Sequence, residues 1–141
     1  MTMTALDKWY DCMKSHNREA LWDLLHPDAV FESPVVHTPQ RGRDATYKYL
    51  SSAEQVLGGP GFAYIGEWRS ETGAVLEFEN EIDGIKVNGV DIIRFGDDGL
   101  ITHFKVMVRP LKAVNLLHRL MGEQLARQGA DGGPAKSQPL S

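Results

Sequence analysis

The feature that most constrains this chain is a change of period near residue 61. Before it, apolar residues recur every three or four positions; after it they alternate, and then the helical period returns once. Leu6, Trp9, Tyr10 and Met13 predict a helix over 4–16 with Thr4 as its cap, and Leu21, Leu24 and Leu25 predict a second that starts at Asn17 and stops near His26, before Pro27. AVFE (29–32) reads as a short strand, and a proline-interrupted excursion follows to Gly42. Thr46, Tyr49, Leu50, Ala53, Val56 and Leu57 mark a third helix over 43–57, which GGPG ends. Four alternating runs follow at 62–70, 73–82, 85–96 and 100–109, joined by glycine-bearing turns. After Pro110, a stripe from Leu111 to Leu125 predicts a last helix.

Helices, one strand, a helix, a meander and a helix predict an α+β fold with helices on one face of a strongly curved sheet. The 141 residues suit a single domain over 1–128, and the glycine- and proline-rich stretch 129–141 reads as a disordered tail. One cysteine, Cys12, excludes an internal disulfide and a cysteine-based zinc cluster, and suits a reducing compartment. The early residues show no basic segment leading into a long apolar run, so a cytoplasmic location with no membrane span is expected. A net charge of -4 without a basic block gives no footprint for nucleic acid. Five histidines at 16, 26, 37, 103 and 118 have no repeated ligand spacing, so no metal is expected.

Alternation sorts the strand faces. Asp91, Ile93 and Phe95 share one side, and a carboxyl beside two large apolar groups must be paired, hydrogen-bonded or protonated if that side is interior. Thr102, Phe104, Val106 and Val108 form a nearly dry face suited to closing a pocket. His26 reads as a cap on helix-end carbonyls, His103 as a surface or interface residue, and His37 as a loop residue near the pocket mouth. The many aromatics, several with polar tips, suit an apolar ligand that carries one oxygen.

The phrases HPDAVFESPVV, QRGRDATYKYL and VNGVDIIRFGDDGLITHFKVMVRP resemble the nuclear-transport-factor-like superfamily, in its SnoaL-like and ketosteroid-isomerase-like branch, over about residues 5–127. The resemblance implies a cone-shaped, curved mixed sheet packed against N-terminal helices, with an additional C-terminal helix and a pocket between the layers. It also implies a homodimer joined through the outer sheet face and a small apolar organic ligand, with no cofactor. Carried over by residue, the oxyanion-binding tyrosine falls at Tyr10, with Trp9 the adjacent alternative, and the protonated aspartic acid falls at Asp91. The general base falls at Ser33 in FESP, which has no basic form at neutral pH. Glu32 lies on the opposite strand face, which leaves His37 as the expected proton handler. Trp9, Phe31, Ser33, Trp68, Ile93 and Phe104 are the expected ligand contacts.

These residues leave three functions open. The first is cofactor-independent proton transfer on an apolar carbonyl compound, by isomerisation, cyclisation or dehydration. The second is carriage of a hydrophobic ligand without chemistry, and the third is a structural or protein-interaction role. In cyclase-like chemistry Asp91 would be the base rather than the neutral donor.

Overall fold

A computed structural model describes residues 3–132. Helix α1 (Ala5–Ser15) starts at a reciprocal box in which the Thr4 hydroxyl accepts from Asp7 N–H and the Asp7 carboxylate accepts from Thr4 N–H. Its buried residues are Leu6, Trp9 and Cys12, and it ends on His16 in the left-handed conformation. Helix α2 (Arg18–Leu24) is capped by the Asn17 side chain. Strand β1 (Leu25–Glu32) follows without a break.

β1 therefore begins four residues earlier than the alternation predicts and runs through Pro27. Its pairing shifts between Leu25 and Val30, so the missing Pro27 N–H falls where the ladder is interrupted. His26 does not cap α2: its Nδ1 accepts from Asp28 N–H at 2.9 Å. The excursion after β1 contains the two-residue strand β2 (Gln40–Arg41), and α3 (Arg43–Leu57) ends at Gly58 as expected.

Strands β3 (Ala63–Ser70), β4 (Gly73–Ile82), β5 (Ile85–Phe95) and β6 (Ile101–Arg109) complete the sheet. Asp83 and Gly84, both at positive φ, turn the chain between β4 and β5. The strand order is β2-β1-β6-β5-β4-β3, with β1 and β6 parallel and every other neighbouring pair antiparallel. The sheet is mixed, curved and unclosed. Its concave face carries Phe31, Leu76, Phe78, Ile93, Phe104 and Val106 into one core with Leu6, Trp9, Leu24, Tyr49 and Leu50 from the helices. Gly89 of β5 faces Phe78 across the β4 ladder, and a Cβ there would stand 2.6 Å from the Phe78 ring and 2.5 Å from the Met107 carbonyl oxygen. The absent side chain is what lets Phe78 lie flat against the sheet.

Helix α4 (Leu111–Gly132) packs through Ala113, Leu116, Leu117 and Met121. Of the tail expected from 129, the part beyond Gly132 lies outside the described residues. Among the described residues, no helix is long and apolar enough to cross a membrane.

Candidate functional site

Between the helices and the concave sheet lies a cavity with a free volume of about 30 Å³. Its helical wall consists of Trp9 and Met13 from α1 and Leu50, Ala53, Glu54, Leu57 and Gly58 from the end of α3; its sheet wall includes Tyr64, Phe78, Asp91, Phe104 and Val106. A second space of about 20 Å³ adjoins it, sharing Ala53, Leu57 and Val106 and bounded further by Phe31, Ser33, Leu117 and Met121.

Asp91 is the polar centre of the sheet wall. It is 6% exposed, on the inward side of β5 between buried Gly89 and Ile93. The Tyr64 hydroxyl donates to its Oδ2 at 2.6 Å, and the indole N–H of Trp9 donates to the Tyr64 oxygen at 3.1 Å. Oδ1 has no hydrogen-bond partner among the described residues. Burial pushes the Asp91 carboxyl from 3.8 up to about 7, and the Tyr64 hydrogen bond opposes that rise. Burial and the neighbouring Asp91 drive the Tyr64 hydroxyl far above the usual phenol range, so tyrosine keeps its proton and remains a donor.

Tyr10 does not meet Asp91. Leu6, Trp9 and Cys12 set the buried stripe of α1, and Tyr10, about 100° further round the helix, leans over the rim. Its hydroxyl donates to Glu67 at 2.5 Å, and burial, followed by that contact, pushes its pKa up to about 12. Glu67 is in turn bound to Arg69, outside the cavity. Tyr64 therefore occupies the hydrogen-bonding position expected of Tyr10, and the adjacent alternative, Trp9, is the α1 residue that reaches the network.

Trp9 and Phe104 line the main cavity, with ring centroids 4.9 Å apart. Phe31 and Ser33 line the adjoining space, and Ile93 is core beside Asp91 without lining either. Ser33 Oγ accepts from the N–H groups of Val35 and Val36 at 3.0 and 3.3 Å, a local turn that occupies its lone pairs. His37 is exposed and borders a surface depression with Glu32 and Lys105, which shares Ser33, Pro34 and Val106 with the adjoining space, but His37 itself lines neither interior space. Trp68 is 59% exposed: the β3 pairing shifts between Tyr64 and Gly66, and its ring covers Gly66 away from the core. Glu32 lies off the cavity, as its strand parity requires, and meets His103 at 2.6 Å.

Two cavity groups were not singled out from the sequence. Tyr64 had a usable signal in the alternation of Phe62 and Tyr64, which puts a polar-tipped aromatic on the inward side. Glu54 had a plainer one, since it stands four residues after Leu50 and three before Leu57, inside the apolar stripe of α3. Its Oε1 stands 2.8 Å from Nδ1 of His16, and Oε2 has no partner among the described residues. Among the described residues, no three histidine, cysteine or acidic side chains gather as metal ligands.

A curved mixed sheet, its helical cover and an apolar cavity holding a buried carboxyl define a pocket protein of the nuclear-transport-factor-like superfamily. The chain belongs to the SnoaL-like domain family, which matches residues 6–104. Among solved structures it is similar to a steroid delta-isomerase from Pseudomonas aeruginosa, with 35% identity over 90% of each chain and a TM-score of 0.77. A conserved bacterial protein with a cystatin-like fold from Silicibacter pomeroyi shares 24% identity over 90% of each chain, at a TM-score of 0.80. The epoxide hydrolase/cyclase-like enzyme SalBIII, of pyran ring formation in polyether salinomycin, shares 15% identity over 76% of this chain and 89% of its own, at 0.60. No curated protein matches the sequence significantly.

Proposed function

We propose that this protein catalyses cofactor-independent proton transfer next to the carbonyl of a small apolar compound, with Asp91 as the neutral donor to the carbonyl oxygen. The observation that carries this reading is a buried carboxyl, in an apolar cavity, with one oxygen fixed by Tyr64 and the other without a partner among the described residues. A proton on Oδ1 leaves Oδ2 as the carbonyl-type oxygen that accepts from Tyr64. The donor is then already oriented before substrate arrives, and it strengthens as negative charge develops on the substrate oxygen. Trp9 holds Tyr64 from the other side, so the three side chains keep one geometry. The likeness to a steroid delta-isomerase supports the reaction class.

The free volume of about 30 Å³ is far below the ~300 Å³ of a pocket that encloses a drug-sized ligand. That space holds about two waters, so even a compact monocyclic ketone requires side chains at the cavity wall, such as Met13 and Leu57, to move, and it is the first substrate to try because it displaces them least. The homodimer implied by the resemblance belongs to the same proposal. Exposed Ile65, Trp68 and Met107 support it, and sedimentation in an analytical ultracentrifuge tests it.

The experiment is conversion of cyclohex-3-en-1-one to its conjugated isomer, followed by absorbance as a function of pH. If Asp91 donates as a neutral acid, turnover falls as pH rises through about 7; if it acts as a carboxylate base, turnover rises there. Saturable binding of phenol, a mimic of the enolate, without turnover of any small ketone would support a noncatalytic ligand-binding protein instead.

A further inference from the structure

We infer that Glu54 is the general base of this cavity, taking the proton from the carbon next to the carbonyl while His16 positions its carboxylate and links it to solvent. The assignment rests on the proton-transfer reading above and supplies the group that reading lacks. Ser33 is occupied by its own turn, and His37 is exposed and lines neither interior space. Among the cavity-lining residues the titratable groups are Tyr64, Asp91 and Glu54. Tyr64 and Asp91 share the sheet wall and hydrogen-bond each other, so they act together at one end of a substrate. Glu54 comes from the helical wall, in the last turn of α3. A ligand held between the two walls meets an oxygen donor on one and a carboxylate on the other, which is the division that enolisation needs.

The surroundings of Glu54 fit this task. Its side chain is 16% exposed, so it sits at the boundary between cavity and water, and Leu50, Ala53 and Leu57 flank it on the apolar face. His16 closes α1 with φ of 56°, a left-handed turn that reverses the chain and directs the imidazole to Glu54. The imidazole is 63% exposed, so its far side is in water. One oxygen of Glu54 is thereby anchored, and the other is left without a partner among the described residues.

In the reaction the carbon–hydrogen bond beside the carbonyl breaks, and its electron pair moves into an enolate whose oxygen accepts a hydrogen bond from Asp91. The released proton forms an O–H bond on Glu54. That carboxyl then returns a proton, either to the same carbon, which regenerates the ketone, or to the far end of a conjugated enolate, which completes isomerisation. In deuterium oxide, exchange of the Glu54 proton with solvent places deuterium on the substrate carbon.

The test uses the full chain and cyclohexanone in deuterium oxide, with loss of the proton signal beside the carbonyl followed by NMR. Glu54→Gln is expected to slow exchange by ~100-fold or more, while phenol still binds as to the unaltered protein. Glu54→Asp, which keeps a carboxylate, is expected to recover part of the rate. His16→Ala is expected to slow exchange by less, and to have no further effect in the Glu54→Gln background, as a residue acting only through Glu54 must. Exchange at the unaltered rate in Glu54→Gln, with Asp91→Ala inactive, overturns the assignment and leaves the proton-transfer reading standing. Absence of exchange and of enone formation in the unaltered protein overturns that reading, and this assignment with it.

Discussion

Replacing Asp91 by Asn removes an ionisation while keeping the size of the side chain, so its effect on stability must depend on pH. The carboxyl ordinarily titrates at 3.8, and burial moves it to about 7 in the folded protein. Below about pH 4 it is neutral in both folded and unfolded chains, and it contributes no pH dependence there. Between about pH 4 and about pH 7 the unfolded chain releases its proton while the folded one holds it, so folding stability falls by about 1.4 kcal/mol per pH unit. Above about pH 7 both states are ionised, and the loss levels off at about 4 kcal/mol. Asn does not titrate. It can still accept from Tyr64, but its amide presents two N–H donors to the apolar cavity where neutral Asp91 presents one O–H, and the extra unpaired donor costs about 1–3 kcal/mol at every pH. Asp91→Asn is therefore expected to be less stable than the unaltered protein by about 1–3 kcal/mol near pH 4, and more stable by a similar amount near pH 8. Urea unfolding across that range, with the slope against denaturant checked for constancy, measures the crossing. A stability difference that stays the same at all pH would refute the argument, because it would mean that Asp91 titrates alike in folded and unfolded chains.

Two further substitutions probe the same interior. Tyr64→Phe removes the hydrogen bond that lowers the Asp91 pKa, so carbon NMR of the labelled carboxyl should show it titrating above its value in the unaltered protein. The same change leaves the Trp9 N–H without its acceptor, and chemical denaturation should report a loss of about 1–3 kcal/mol. Ser52 is fully buried in α3 and its hydroxyl has no partner among the described residues, so Ser52→Ala should leave thermal stability unchanged or raise it by about 1 kcal/mol.

The layers were legible because each is written in a period. The alternation of β5 put Asp91, Ile93 and Phe95 on one side without deciding whether it is interior, and in the fold Asp91 and Ile93 are buried while Phe95, beyond a shift in the pairing with β6, is partly exposed. The spacing of α3 gave its length to the residue, since Gly42 and Gly58 bound a continuous apolar stripe. β1 was cut short because Pro27 reads as a break, whereas the interrupted pairing with β6 tolerates it. The two-residue β2 has no period at all, and only its partner in β1 defines it.

The site was less legible because it depends on differences smaller than a period. Trp9 and Tyr10 both fit an apolar stripe from Leu6 to Met13, and one step around the helix separates the ring that meets Phe104 from the ring that meets Glu67. A tyrosine was expected to reach Asp91, and one does, but from β3, across two ladders of the sheet rather than from the helix above. That route depends on sheet curvature and on the pairing shift between Tyr64 and Gly66, neither of which a single strand's alternation reveals. Glu54 shows the opposite error. Its position was readable from Leu50 and Leu57, but an acid inside an apolar stripe is easily passed over as the edge of a helix face. A polar residue at an apolar position is the more informative observation, and the same reasoning that singled out Asp91 on a strand applies to Glu54 on a helix.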